Sequence, residues 1–411
     1  MFDALIIGAG IVGLTAAYRL AEAGQSALIL DRKGMALESS QGNAGAFAFA
    51  DVEPLASPGI LWKAPGWLLD PLGPLSMPLS YAPRMLPWLW RFWRASRPAR
   101  HDAATAAQAR LMALSRTETE GLFAATRLSH HLRRDGAIYL YEGEKALKGA
   151  EPLWALRARH GVEFEQVTGA RLVDLQPGLH PKYSHGVFIP SWMTLSDPYN
   201  VAVAIGQAAI ARGAQFQQAE VVDLSANGQG AQARLSDGGR IAARLAILAC
   251  GAWSHILAAR LGDRLPLETE RGYNTTLPPG AFDLRRQIVL PADGYVVTPL
   301  STGLRVGGAV EMAGLTRAPD YRRSAILLKK AAEVMPGLKT EGGVQWMGFR
   351  PSFPDSLPVI GRATGSSRVI YAFGHGHLGL TQAAATARLI TDLALNRAPS
   401  IDLTPYRPER F

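Results

Sequence analysis

Ala4-Leu5-Ile6-Ile7-Gly8-Ala9-Gly10-Ile11-Val12-Gly13 opens the chain, and its reading sets the architecture. The four leading apolar residues, with no polar alternation, read as a short parallel strand buried on both faces. Apolar positions then take helical spacing (Val12, Ala16, Leu20, Ala23), Gly24 supplies a stop, and Ala27 to Leu30 reads as a second strand ending at Asp31-Arg32. This is a βαβ unit in about 30 residues. Its three glycines have separate tasks. Gly8 permits the tight turn, Gly10 lets a pyrophosphate approach the backbone, and Gly13 lets the helix pack close to the strand, with phosphate at the helix N-terminus. Asp31, 18 residues past Gly13, stands where a carboxylate accepts ribose hydroxyls and disfavours a 2′-phosphate.

A second glycine-rich turn, Gly374-His-Gly-His-Leu-Gly-Leu-Thr381, answers the first from the far end of the chain and opens a last long helix over 376–395. One long cofactor gripped at both ends describes a flavin better than a nicotinamide. Just before it, Arg350 sits between Phe349 and Pro351, with Trp346 upstream. An arginine in apolar surroundings needs an anion, either a ligand carboxylate held bidentately or a structural ion pair. His375 and His377 lack the partners of a metal site. Each reads either as a catalytic base or as a loop histidine held by backbone contacts. Glu38-Ser-Ser-Gln-Gly-Asn-Ala-Gly45 offers small side chains, hydroxyls and an amide to a pyrophosphate or flavin edge. Ala249-Cys-Gly-Ala-Trp-Ser254 caps an apolar strand and suggests a second backbone approach to the nucleotide, through Gly251 and Trp253. Cys250 reads as a small buried hydrophobe rather than a nucleophile, since no base is evident beside it.

The 411 residues suffice for two interleaved units, and 48% hydrophobic with 19% charged residues describes an ordinary globular core. The single cysteine excludes an intrachain disulfide framework and suits a reducing compartment. A net charge of +9 favours an anionic small molecule or membrane surface. No nucleic-acid module and no apolar run long enough for a membrane span is visible. The expected location is the cytoplasm, with peripheral contact at the inner face of the membrane.

Along the chain, residues 62–100 hold five of the nine tryptophans (Trp62, Trp67, Trp88, Trp90, Trp93) and the basic residues Arg91, Arg94, Arg97 and Arg100. This segment reads as a lid, as core, or as an interfacial anchor. Residues 102–135, 196–212 (led by Ser196-Asp-Pro) and 322–335 read as helices. Residues 215–223, 240–249, 294–300 and 303–308 read as strands. Strand-rich sequence between βαβ-type segments implies a nucleotide domain interleaved with an antiparallel substrate domain. The expected nucleotide-binding segments are 1–60, 150–222, 240–262 and 344–411. Residues 61–149, 223–239 and 263–343 form the expected substrate domain.

Taken together, these residues resemble the flavin-dependent D-amino-acid dehydrogenase and glycine-oxidase-like group of the D-amino-acid oxidase superfamily, and within it the glyphosate oxidoreductase branch. The likeness covers nearly the whole chain. It rests on Pro65-Gly-Trp-Leu-Leu-Asp-Pro-Leu-Gly-Pro-Leu75, Leu267-Glu-Thr-Glu-Arg-Gly-Tyr273, Gly303-Leu-Arg-Val-Gly-Gly308 and the block from Gly348 to Thr381. The resemblance implies a mixed α/β fold with a Rossmann-like FAD-binding domain and an antiparallel-sheet substrate domain. It implies noncovalent FAD, because the cysteine that tethers flavin in sarcosine-oxidase relatives has no match.

By motif match, Gly8, Gly10, Ile11, Val12, Gly13, Asp31 and Arg32 would hold the ADP half, and Val221 and Val222 would reach the adenine. Ser40, Asn43, Ala44 and Gly45 would lie along the pyrophosphate and flavin. Gly376, His377, Leu378, Gly379, Leu380 and Thr381 would border the flavin pyrimidine edge. Arg350 would pair with a substrate carboxylate, Tyr273 and Tyr295 would line the pocket, and His377 or water would take the ammonium proton. The implied activity is oxidative deamination of D-amino acids, cyclic ones of the D-proline or hydroxyproline type among them, with electrons passed to a quinone. Two alternatives accompany it: cleavage of N-substituted glycines such as glyphosate to glyoxylate, and a flavin-binding subunit that acts only within a larger complex.

Overall fold

Phe2–Ile7 (β1) runs into Gly8, whose φ of +108° side chains rarely tolerate, and the chain continues as Ile11–Glu22 (α1) and Ala27–Asp31 (β2). The computed structural model describes residues 1–60 and 75–411. In it β1 lies between β2 and the strand Arg240–Leu248, parallel to both, and Ser366–Phe373 continues the parallel order beyond. The expected two-sided burial follows residue by residue. Ile6, Ile29, Ile247 and Ile370 pack on one face with α1, Pro198–Ala211 and the last helix, Gly379–Ala394. Leu5, Ile7, Leu28, Leu30 and Leu248 pack on the other. Alanines on the facing helices (Ala16, Ala17, Ala383, Ala384, Ala387) let α1 and the last helix approach closely. The eight-stranded sheet is completed by Gln215–Gln218, by Val359–Ala363 and by the hairpin Val221–Asn227/Gly230–Leu235.

A second sheet of nine strands stands against the C-terminal ends of these parallel strands. Its centre is antiparallel, with Val344–Ser352, Glu268–Leu277, Gly303–Met312, Tyr295–Leu300 and Gln287–Leu290 as successive neighbours. Helix Arg322–Val334 covers one face of it with Leu327, Ala331 and Val334. Ala137–Tyr141, His185–Ile189 and Glu165–Thr168 extend the sheet.

Sheet membership redraws two of the expected segment boundaries. Residues 221–235 pair with the first sheet, and the strands within 165–189 pair with the second. Long-range strand pairing decides membership, and local pattern does not encode it. The helix expected over 102–135 runs from Pro98 to Ala125 and ends at Arg127, which adopts a φ of +60°. Helix Pro198–Ala211 starts as read, with the Asp197 carboxylate accepting from the amides of Tyr199 (2.9 Å) and Asn200 (3.1 Å).

The tryptophan-arginine segment is described from Leu75 onward; Trp62, Trp67 and the resembling stretch Pro65–Pro74 lie outside the described residues. Helix Ala82–Ala95 divides the readings by face. Met85 and Trp88 are buried with Met312, while Leu86, Trp90 and Trp93 are exposed.

Candidate active site

An elongated cavity of about 800 Å³ lies between the two sheets, and it gathers most of the residues singled out in the sequence. At the nucleotide end Gly8, Gly10, Ile11 and Val12 border it, with Asp31 and Arg32 at the tip of β2 and Val221 and Val222 beyond. Asp31 is held by its own loop and by the glycine-rich loop after β1. One carboxylate oxygen accepts from the Ala9 amide (2.8 Å), the other from the amides of Lys33 (2.9 Å) and Gly34 (3.2 Å). Gly13 is set back from the cavity and acts as expected of a packing glycine: a Cβ there would sit 1.9 Å from the Gly8 carbonyl oxygen.

Ser40 caps the start of α1, its hydroxyl accepting from the Ile11 amide at 2.9 Å. Gly251 and Trp253 complete this end, with the Arg32 guanidinium 4.2 Å from the Trp253 ring. Cys250 is inert here. Its Sγ faces the Ile7 carbonyl oxygen at 3.1 Å, and burial pushes its pKa up to about 12.

Midway along, the loop Asn43–Gly45 approaches from below, and Gly45 lies just outside the lining. The Asn43 side chain accepts from the Gly45 amide (2.8 Å), fixing the turn. Arg305 donates to the Asn43 carbonyl and, through Nε, to Thr276 Oγ1 (2.9 Å); burial drives its pKa down to about 10. From above, Gly376–Leu378 forms a short 3₁₀ turn ahead of the last helix. Thr381 Oγ1 accepts from the Ala48 amide at 3.1 Å, tying that helix to the loop. Both histidines border the cavity; His375 is buried with its ring on Thr386 Oγ1 (2.9 Å) and reads as structural, whereas His377 is exposed to the cavity. Burial lowers the His377 pKa, against the fields of Asp51 and Glu270.

At the far end stands Arg350. Its guanidinium donates to the carbonyls of Ala309 (2.9 Å) and Gly308 (3.4 Å). Burial lowers its pKa and Glu270 opposes the shift. Gly272 makes the room: a Cβ there would fall 2.4 Å from Arg350 Nη2. The Trp346 ring fills the space over Gly42 and Gly348.

The two tyrosines expected in this pocket, Tyr273 and Tyr295, do border it, but the strand register turns their side chains outward. Tyr295, Gly308, Tyr273 and Met347 form one cross-strand rung, and Val296, Gly307, Asn274 and Trp346 form the next. Successive residues of a strand point to opposite faces. Val296, Asn274 and Trp346 face the cavity, so the tyrosine side chains face away from it. Tyr295 packs beneath helix Arg322–Val334. The Tyr273 hydroxyl donates to Glu311 at 2.5 Å in a buried cluster with Arg271, and burial pushes its pKa up to about 12. Beside their backbone the cavity receives Glu270, Asn274 and Arg305, which the sequence reading passed over.

These features fit a long dinucleotide. The lining runs from Val221 to Arg350, the backbone around Gly10 and Gly251 is open, and a helix N-terminus faces the middle. The FAD dependent oxidoreductase family model matches residues 3–393. The chain belongs to that family. It is 35% identical to a D-amino-acid oxidase of Bradyrhizobium diazoefficiens, over 99% of this chain and 98% of that protein. It is 30% identical to a D-amino acid dehydrogenase of Sinorhizobium medicae, over 99% of each. Glycine oxidase from Geobacillus kaustophilus shares the fold, with a TM-score of 0.78 at 21% identity over 100% of this chain and 99% of that one. This FAD-dependent oxidoreductase therefore presents its cofactor-sized cavity and a half-buried guanidinium in one continuous space.

Proposed function

We propose that the enzyme oxidises the amine-bearing carbon of D-amino acids to an imine, which water converts to a 2-oxo acid, and that its electrons pass to a membrane quinone. The observation that carries the reading is Arg350, a half-buried cation bordering the cavity whose hydrogen bonds, among the described residues, go to main-chain carbonyls. Such a guanidinium retains donors for a carboxylate. The names of the 35% and 30% identical relatives support D-amino acids as the class.

Bound FAD would supply the two-electron oxidant. Gly8, Gly10, Ile11, Val12, Asp31, Arg32, Val221, Val222, Gly251 and Trp253 would hold its ADP half, with Gly13 packing α1 against β1. Ser40, Asn43, Ala44 and Gly45 would lie along its middle, and Gly376–Thr381 at the flavin. Arg350 orients the substrate carboxylate. His377, which opens onto the cavity and whose pKa desolvation there lowers, is available to take the ammonium proton.

Anaerobic bleaching of the flavin by a panel of D-amino acids, D-proline and hydroxyproline included, is the direct test. The expected result is reduction by D-amino acids with a 2-oxo acid as product. Reduction confined to N-substituted glycines, with glyoxylate as product, would replace this reading with a secondary-amine one. A purified protein whose flavin no amine reduces would point to a subunit acting only in a complex.

The quinone part rests on helix Ala82–Ala95. Leu86, Trp90 and Trp93 are 63%, 50% and 39% exposed on its outer face. Arg94 lies 4.6 Å from the Trp90 ring and Arg97 4.8 Å from the Trp93 ring. Tryptophan with arginine on one exposed face suits a headgroup layer. Among the described residues no helix is long and apolar enough to cross a membrane, so the contact is peripheral. Sedimentation with anionic phospholipid vesicles should exceed that with neutral ones and weaken with salt, and the variant Trp90→Ser/Trp93→Ser should lose about tenfold of that binding, as burial of two aromatic rings predicts. Equal retention of wild type and variant would refute the contact.

A further inference from the structure

Glu270 lies in the strand Glu268–Leu277, directly opposite Arg350 in the antiparallel register. Residues so paired raise their side chains from the same face of a sheet, with Cβ atoms about 5 Å apart. Glu270 is only 5% exposed and borders the cavity. Among the described residues neither a hydrogen bond nor a salt bridge reaches its carboxylate. The neighbouring buried acids are already engaged. Glu268 accepts the Tyr81 hydroxyl (2.9 Å), and Glu311 accepts from Arg271 (3.0 Å) and Tyr273. Arg350 does not fill the gap, since it donates to the carbonyls of Ala309 and Gly308. Another group facing this region is His377, whose pKa desolvation lowers. A buried carboxylate that stands in the field of Arg350 but receives no hydrogen bond calls for a cationic donor, and the cavity is the open route by which one arrives.

We propose that Glu270 receives the ammonium group of the substrate, so that Glu270 and Arg350 read the two charged ends of a zwitterionic amino acid. The proposal rests on the amino-acid reading of the site and adds a selectivity to it. A carboxylic acid lacking the amine meets Glu270 as a like charge, and an N-acylated amino acid offers it no cation. The adjacency of the two residues across one strand pair suits an amine and a carboxylate borne on the same carbon.

Two ligands of one shape test this. 2-Aminoisobutyrate has no α-hydrogen and cannot be dehydrogenated, and pivalate replaces its ammonium by a methyl group. Each is titrated into FAD-loaded enzyme, and binding is read from the perturbed flavin spectrum. Wild type should prefer 2-aminoisobutyrate. Glu270→Gln should bind it on the order of 10- to 100-fold more weakly, as expected for a lost charged hydrogen bond, and should bind pivalate more tightly than wild type does. Glu270→Asp should recover part of the preference.

Unchanged affinity for both ligands in Glu270→Gln would overturn the proposal. Equal loss of both would also overturn it, by showing that Glu270 merely supports Arg350. Wild type that binds pivalate but gains nothing from the amine would defeat the Glu270 role while leaving the carboxylate site standing. Wild type that binds neither ligand would bring down the amino-acid reading and this proposal with it.

Discussion

Arg350→Ala enzyme should keep its FAD and lose reduction by substrate almost entirely. The guanidinium has no hydrogen bond to either glycine-rich loop; its protein partners are the carbonyls of Ala309 and Gly308 on the neighbouring strand. Cofactor retention is therefore expected, and the visible spectrum of the purified variant checks it. The substrate side differs. Truncating one partner of a buried, hydrogen-bonded charge pair costs about 2–5 kcal/mol, which is roughly 30- to 5,000-fold. In anaerobic stopped-flow the loss should fall on both substrate affinity and the limiting reduction rate, because a carboxylate no longer fixed leaves the amine-bearing carbon unaligned. Arg350→Lys restores the charge without the planar fork and should lie between the two. Gly272→Ala should reproduce the defect more mildly, since its Cβ would meet the guanidinium at 2.4 Å. An Arg350→Ala enzyme reduced at the wild-type rate and affinity would show that the carboxylate is held elsewhere.

The parts of this molecule legible in its sequence are those specified locally. The run Ala4–Ile7 declares two-sided burial by its composition, and the structure puts Leu5 and Ile7 on one face and Ile6 on the other. Gly8, by its positive φ, and Gly13, by its contact with the Gly8 carbonyl, are dictated within one βαβ turn, so their spacing alone identifies them. Asp197-Pro198 announces a helix start that needs no distant partner. The substrate end was read less well because it is set by register. Tyr273 and Tyr295 sit in the strands expected to line the pocket, but one rung decides which face they present, and that rung is fixed by pairing with Gly308.

Glu270, Gly272 and Asn274 did carry a signal. They form a period-two set of carboxylate, glycine and amide on one face, obscured by Arg271 and Tyr273 between them. Helix Ala82–Ala95 is similar. Its tryptophans look alike in sequence, and only the 3.6-residue period separates buried Met85 and Trp88 from exposed Leu86, Trp90 and Trp93. The cluster in which Arg157 meets Asp51 (2.8 Å) and Glu53, with Tyr139 on Asp51 (2.7 Å), joins segments about a hundred residues apart and has no local trace.

The second large effect concerns acid. His375 is 4% exposed, its Nε2 is 2.9 Å from Thr386 Oγ1, and burial alone pushes its pKa down to about 3. No carboxylate field compensates it, so the folded protein holds this imidazole neutral where an unfolded chain would protonate it. Between pH 6.5 and 3 the unfolded state binds the extra proton, and stability rises with pH across that window. The contribution is fully present above pH 6.5 and is lost as pH falls toward 3, at about 1.4 kcal/mol per pH unit, or roughly 2 kcal/mol by pH 5. Glutamine retains a polar partner for Thr386 and cannot be protonated. The expected result is that wild type and His375→Gln, followed by circular dichroism in denaturant, show unfolding free energies that diverge below pH 6.5, the variant losing less. Other buried histidines whose pKa values burial lowers, His255 among them, add to acid sensitivity in both proteins and cancel in the difference. The raised Glu53 acts with the opposite sign and cancels likewise. A constant difference between the two proteins from pH 7 to 4.5 would mean that the interior at His375 already admits the proton, and that water reaches this turn beside the cavity.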